Sequence, residues 1–176
     1  VPMCDGPVRT RVLARGTWLP FQEFMIRERA EGPVDGVEYH GIEAVSPPAE
    51  ALEAINGARA VVIGPSNPVI SIRPILEVPG LRNALRATPA PVVAVSPIVG
   101  GAVVKGPTEP FMAWAGFSLD AAGVAAFYGD MLDGVVTDES AAGPLPVLTT
   151  DTMMGDATAR ARVARETLEF AEALAS

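Results

Sequence analysis

The sequence predicts an α/β protein, a Rossmann-like and mostly parallel sheet with helices on both faces. Three observations carry that expectation. The short apolar runs 60–63 (Ala-Val-Val-Ile) and 91–95 (Pro-Val-Val-Ala-Val) read as strands buried on both faces, as parallel strands are. Segments of helical spacing alternate with the strands along the chain. Each of the two runs ends in a polar loop marked by Gly and Pro. An open α/β sheet presents groups to a ligand in such loops, beyond the carboxyl ends of its strands.

The elements come in order. Residues 8–14 alternate well enough for a strand. Residues 18–29 place Phe21, Met25 and Ile26 at helical spacing with charges between them, so a helix is expected. Residues 37–42 predict a short strand with Tyr39 on one face. Residues 48–56 predict a helix with Pro48 in its first turn and Gly57 at its end. After the 60–63 strand, residues 71–76 predict a helical turn with Ser71 as a cap, interrupted by Pro79-Gly80, and 81–87 continue as helix. The 91–95 strand leads into a Gly-rich loop, 96–107, and a short helix, 111–115. Ser118 reads as the N-cap of a helix running to Tyr128. Residues 134–137 and 146–148 predict short strands. The clearest helix is 157–174: Val163, Phe170, Ala171 and Leu174 share one face, Arg165, Glu169 and Glu172 the other, and Asp156 is placed to cap it. Residues 1–45, strand then helix then strand, read as an insert; residues 46–176 read as part of the α/β domain.

Composition narrows the class. With 176 residues, 49% of them hydrophobic, the chain can build one domain with a real core. The net charge of −8 argues against nucleic acid and against anionic membrane surfaces as partners. The apolar stretch 90–104 is broken by Pro91, Pro97, Gly100 and Gly101 and falls short of the about 20 residues that cross a bilayer. No signal-peptide pattern opens the chain. A lone Cys4 forms no intramolecular disulfide, so a cytoplasmic location is expected, and one Cys with one His (His40) leaves no Cys/His zinc site. Val1-Pro2-Met3 reads like the end of a strand already under way, so position 1 is not expected to be the natural start.

Four constellations can carry chemistry. In the first loop, Gly64, Pro65, Ser66, Asn67 and Pro68 are followed by Ser71. Asn67 has a donor pair and an acceptor, which suits a heterocycle edge; equally, Ser and Asn can satisfy their own backbone in a turn. In the second loop, Ser96 is followed by Gly100, Gly101 and Lys105. Paired glycines let backbone amides approach a ligand, and Lys105, the sole lysine, is either a phosphate contact or a compositional remainder. The Gly-Lys-Ser/Thr order of a Walker A loop is absent. In the third, Thr150 and Asp151 with their neighbours either bond a ligand or form an Asx-type turn. In the fourth, Asp5 stands near Arg9 and Arg11, which share one strand face. No Ser-His-Asp order, paired-carboxylate motif or Cys-x-x-Cys is present.

Taken together, these segments resemble the 2-phospho-L-lactate transferase family of deazaflavin coenzyme F-420 biosynthesis. The resemblance runs through Pro2-Met3-Cys4-Asp5, Val8-Arg9-Thr10-Arg11-Val12 and Phe21-Gln22-Glu23-Phe24. It continues through Ile63-Gly64-Pro65-Ser66-Asn67-Pro68, Ser71-Ile72, Pro74-Ile75-Leu76 and Val78-Pro79-Gly80. It ends with Ser96-Pro97-Ile98-Val99-Gly100-Gly101, Lys105-Gly106-Pro107, Gly123-Val124-Ala125, Tyr128 and Thr150-Asp151-Thr152-Met153-Met154. The resemblance implies transfer of a phospholactyl or phosphoenolpyruvyl group from a guanosine diphosphate conjugate to the ribityl hydroxyl of the deazaflavin Fo, with release of GMP and help from Mg2+. It also implies a homodimer, and substrate contacts at Gly64, Pro65, Ser66, Asn67, Ser71, Ser96, Gly100, Gly101, Lys105, Asp5, Arg9, Thr150 and Asp151. Family members are roughly twice as long; the chain resembles their C-terminal half, so the Mg2+ ligands are expected in an N-terminal half outside it, and the piece alone is expected to be inactive. It departs from the family at Cys4, where serine is usual, at Gly6, which replaces an acidic residue, and at Arg73, which replaces a glycine. The alternative readings are a non-catalytic, nucleotide-sugar-binding regulatory protein of the same superfamily and a piece that only completes a core or dimer interface.

Overall fold

A computed structural model describes residues 1–30, 33–140 and 143–175. Two sheets organise it. The first is antiparallel, in the order β2-β1-β3, from β1 (Arg9–Ala14), β2 (Thr17–Pro20) and β3 (Gly36–His40), with helix α1 (Phe21–Arg27) between β2 and β3. Residues 18–20 therefore belong to a strand, not to the helix expected there. Arg15 and Gly16 both take positive φ, 50° and 75°, which makes the tight two-residue turn that folds β2 back on β1 and pairs Leu13 with Trp18. Pro20 ends the strand and stands at the helix start.

The second sheet is parallel, in the order β4-β5-β8-β9: β4 (Val61–Ile63), β5 (Val92–Val95), β8 (Gly134–Thr137) and β9 (Val147–Thr149). Helix α2 (Ala49–Asn56) precedes β4. Helices α3 (Arg73–Leu76) and α4 (Leu81–Ala87) join β4 to β5. A small hairpin, β6 (Ile98–Val99) and β7 (Ala102–Val103), comes after β5 and leads to α5 (Thr108–Ala115) and α6 (Ala121–Tyr128). Helix α7 (Ala157–Leu174) closes the fold.

Alternation along the strands builds two cores. Val92, Ala94 and Val135 face one side and pack with Phe111, Met112, Val124 and Tyr128. Val95 and Val136 face the other and pack with Val163 and Phe170 of α7. Helices thus cover both faces. The antiparallel unit is not independent: Val12 and Phe24 join the first core, with the Phe24 ring edge-on to Phe111 at 5.9 Å. All four residues of β5 are buried, as its apolar run predicts. β4 differs. It is an edge strand, and Val62 keeps 42% of its surface exposed. A short apolar run cannot by itself separate a central strand from an edge strand.

Caps refine three helix starts. Asp156 caps α7, accepting from the Ala159 amide at 2.8 Å, as the sequence predicts. Helix α6 is capped by Asp120 rather than Ser118: Asp120 Oδ1 accepts from the Gly123 amide at 2.7 Å, and the Ser118 hydroxyl donates to the same oxygen at 2.8 Å. Helix α5 begins at Thr108, three residues before the predicted start, and its Thr108 end faces the site. Among the described residues, no helix is long and apolar enough to cross a membrane.

Two glycines permit close packing. A Cβ on Gly134 would stand 2.7 Å from the Phe170 ring, and one on Gly123 would stand 2.0 Å from the Ser118 carbonyl oxygen. Backbone cannot yield as a side chain can. Gly123→Ala is expected to lower stability by about 1–3 kcal/mol, the usual cost of overpacking, measured by urea unfolding. An unchanged midpoint would contradict the packing of α6.

Candidate functional site

Parallel register places the carboxyl ends of β4 and β5 side by side, with Ile63 opposite Ala94. A cleft of about 490 Å³ opens beyond them. Three segments wall it: Pro65 to Ser71 after β4, Ser96 to Thr108 after β5, and Thr152 to Gly155 after β9.

The first wall is set by Asn67. Its side-chain Oδ1 accepts from the amides of Val69 and Ile70 at 2.9 and 3.1 Å, and its Nδ2 donates to Thr108 Oγ1 at 3.4 Å. Asn67 is therefore the N-cap of the adjoining turn, a position expected from the sequence for Ser71. The amide oxygen expected to read a heterocycle is occupied by backbone donors. The turn, Pro68–Ile72, is wide: the Ile72 amide reaches the Asn67 carbonyl at 3.2 Å, a π-helical spacing. Pro74 supplies the cause. It has no N–H to offer the Ile70 carbonyl, and its ring excludes that oxygen from a regular α-turn. Tyr39 of β3 buttresses the turn by donating its hydroxyl to the Val69 carbonyl. Burial pushes the Tyr39 hydroxyl pKa up, the Arg73 charge opposing the shift and Glu77 adding to it, so it remains a donor across the neutral range.

The second wall contains Ser96, fully buried, whose Oγ accepts from the Ile98 amide at 3.1 Å. Lys105 lies past the hairpin and is exposed on the cleft rim. Gly100 and Gly101 do not line the cleft. With φ of 58° and 73° they form the two-residue turn of the β6–β7 hairpin, and the Gly100 amide donates to Asp138 Oδ2 at 2.6 Å. Their conformational freedom serves the turn rather than ligand approach.

The third wall explains Thr150 and Asp151. Neither lines the cleft. Asp151 Oδ1 accepts from the Met153 amide at 2.9 Å, the Asx-type turn allowed by the sequence. Thr150 donates to Glu166 at 2.6 Å, and Arg162 bonds Thr150 Oγ1 at 3.1 Å and the Asp151 carbonyl at 2.6 Å. Helix α7 thereby holds the segment that delivers Thr152 to the cleft. Thr152 is 2% exposed, and its hydroxyl has no hydrogen-bond partner among the described residues. Leaving a buried hydroxyl unmatched costs about 1–3 kcal/mol.

Of the predicted residues, Pro65, Ser66, Asn67, Ser71, Ser96 and Lys105 meet in the cleft. Gly64 lies behind it, in a groove between β4 and α7. Asp5 is exposed near the amino terminus, and Arg9 lines a separate shallow cavity with Phe21 and Gln22. Arg11 is spent on Glu38 at 2.7 Å. Arg73 turns to Glu77, 3.1 Å away, and does not line the cleft. Sequence reasoning misses Thr108 and the apolar wall of Val104, Met153 and Met154; in the 149–154 segment, whose polar residues it singles out together, Thr152 is the one that lines the cleft. Among the described lining residues there is one cation, Lys105, and no carboxylate. No group of three His, Cys, Asp or Glu side chains among the described residues can hold a metal ion. The hard-oxygen donor set that Mg2+ takes from proteins does not fit this cleft.

Fold and cleft together define a Rossmann-like α/β protein with a hydroxyl-lined crevice at the carboxyl ends of its strands. The family model of 2-phospho-L-lactate transferase CofD matches residues 1–166, and the chain belongs to that family. It is 42% identical over 139 residues to the 2-phospho-L-lactate transferase of Methanosarcina mazei, covering 79% of this chain and 45% of that one. It is 39% identical to the 2-phospho-L-lactate transferase of Methanopyrus kandleri (98% of this chain, 57% of that one). It is 40% identical to the phosphoenolpyruvate transferase of Streptomyces coelicolor (98% and 58%). The chain thus spans about half the length of these curated relatives. A crystal structure of protein BH3568 from Bacillus halodurans shares the fold, with a TM-score of 0.54 at 18% identity over 85% of this chain and 49% of that one.

Three substitutions separate architecture from binding surface. Asn67→Ala is expected to cost about 1 kcal/mol of stability through the lost cap. Ser71→Ala, at an exposed site, should stay within about 0.5 kcal/mol. Thr152→Val removes an unmatched buried hydroxyl at nearly constant volume and should leave stability equal or raised. Urea titration of the three variants checks this order.

Proposed function

We propose that this chain forms one wall of a site for a guanosine diphosphate conjugate of phospholactate or phosphoenolpyruvate. The polypeptide containing it transfers that group to the ribityl hydroxyl of Fo and releases GMP. The observation that carries the reading is the lining of the cleft: among the described residues it has five hydroxyls (Ser66, Ser71, Ser96, Thr108 and Thr152), one lysine and no carboxylate, in a member of this family. Hydroxyls and an ammonium suit an anion rich in acceptor oxygens, and lining carboxylates would repel it.

The roles divide by position. Lys105, on the rim, meets phosphate charge as a point cation. Thr152 donates its free hydroxyl to a ligand oxygen, satisfying a group that the free protein leaves unmatched. Asn67 shapes the turn that presents Ser66 and Ser71. Val104 and Met153 supply apolar surface for the organic part of the conjugate. Chemically, an alcohol oxygen attacks phosphorus and the GMP phosphate leaves; fixed donors aimed at the phosphoryl oxygens stabilise the charge that shifts onto them. Mg2+ is not assigned to these residues, whose donors do not suit it.

The test uses a polypeptide of the relatives' full length that contains this chain, incubated with Fo, the guanosine diphosphate conjugate and magnesium. GMP release with formation of a phosphodiester product is expected; no GMP release contradicts the reading. In the same polypeptide Lys105→Ala should weaken GDP binding about fivefold, as an exposed charge contact does, and the loss should shrink at high salt. Thr152→Val should weaken binding without lowering stability. Calorimetry reads both.

A further inference from the structure

We infer that the N-terminus of α5 is an oxyanion subsite within the cleft, one that receives a phosphoryl or carboxylate group of the ligand. This subsite rests on the proposed function for the identity of its ligand, and it adds where the ligand's charge is held. The backbone supplies the first donors. Aspartates cap α6 and α7. α5 opens instead after Pro107, which offers no side-chain hydrogen bond. Thr108 and Glu109 are its first two residues, and no described residue accepts from their amides. Pro110, the third, has no N–H. Such first-turn amides lack partners inside the helix, and the positive end of the helix dipole favours an anion beside them. This end of α5 opens into the cleft, which Gly106, Pro107 and Thr108 all line. Gly106 has a φ of 84°, and a Cβ there would meet nothing within 4 Å, so the space beside this stretch is free.

A second observation is independent of the helix. Thr152 reaches the same cleft from another wall, is 2% exposed, and has a hydroxyl with no partner among the described residues. A buried hydroxyl is nearly always bonded, so an unmatched one marks a missing partner. Thr108 is equally buried. Its Oγ1 accepts from Asn67 Nδ2 at 3.4 Å, which leaves its own proton to donate. Lys105 adds positive charge from the rim. Two amides, two hydroxyls and an ammonium from two walls call for one kind of group, a charged acceptor with several oxygens.

One charge opposes the subsite. Glu109, in the first turn of α5, is exposed and does not line the cleft. Its carboxylate stabilises the start of the helix and repels an anion arriving there. Glu109 therefore lowers the affinity of the subsite for a highly charged group. It also separates binding from structure. Neutralising it should tighten an anion held at α5 while leaving the helix no more stable. A role confined to the helix would move stability and leave affinity unchanged.

The experiment titrates the isotope-labelled polypeptide of the relatives' length with inorganic phosphate, with GDP and with the guanosine diphosphate conjugate, reading amide chemical shifts. Saturable shifts at Thr108, Glu109 and Thr152 are expected. Shifts with GDP identify the group as phosphoryl, and shifts with the conjugate alone identify it as the carboxylate. Shifts with inorganic phosphate but with neither nucleotide would uphold the subsite and sink the proposed function. Unmoved Thr108 and Glu109 amides with all three probes would overturn the subsite, whether or not GMP is released in the transfer assay. For the probe that binds, Glu109→Gln should tighten binding about twofold at low salt, an effect that shrinks as salt rises. Thr152→Val should weaken it about fivefold, and Thr152→Ser, which keeps the hydroxyl, should restore it. An affinity unchanged at low salt in Glu109→Gln would place the anion away from α5 and contradict the inference.

Discussion

Everything that gathers at the cleft depends on one constraint, the parallel pairing of β4 with β5. The register sets Ile63 against Ala94, so both strands release the chain at the same end of the sheet. The connections leaving the two strands are then forced into one neighbourhood: the Asn67-capped turn after β4, and the Ser96 turn and hairpin after β5. The third segment arrives because β9 runs parallel to β8, and β8 to β5. Antiparallel pairing at any of these steps would send a loop to the opposite end. The apolar runs that specify the strands are thus the reason that polar residues distant in sequence share one crevice.

The walls are stiffened by bonds that leave little polar capacity unused. Asn67 spends its oxygen on two amides and reaches Thr108 with its nitrogen, linking the first wall to the second. Arg162 and Glu166 fix Thr150 and Asp151, tying the third wall to α7. Against that background the unmatched hydroxyl of Thr152 stands out. Buried polar groups are nearly always bonded, and the exceptions point to a missing partner or a functional role. The antiparallel unit contributes from outside, through the Tyr39 hydroxyl on the Val69 carbonyl and through Phe24 against Phe111.

Much of this is legible in the residues. β5 and α7 declare themselves, one by an unbroken apolar run and the other by an apolar stripe behind an Asp cap. The loops after β4 and β5, both singled out in the sequence, wall one cleft. What the sequence hides is pairing. Nothing local marks Arg15-Gly16 as a hairpin turn, because arginine is an unusual residue at positive φ, and so Trp18 reads as helix. Asn67 and Ser71 are both good caps, and only the wide turn imposed by Pro74 selects Asn67. Gly100-Gly101 fits a ligand cradle and a hairpin turn equally well until Ile98 is seen to pair with Val103. Thr150, Asp151 and Thr152 look alike in sequence. Tertiary contacts with α7 decide that the first two are structural and the third faces the cleft.

The central claim is that the crevice beyond β4 and β5 receives the guanosine diphosphate conjugate. Titration of the isotope-labelled polypeptide of the relatives' length with GDP, monitored by amide chemical shifts, tests it most directly. Shifts concentrated at Ser66, Ser71, Ser96, Lys105 and Thr152 are predicted, with Arg9 and Asp5 unmoved. Shifts centred on Arg9 and Phe21, or saturable binding that leaves Thr152 and Ser96 untouched, would contradict it.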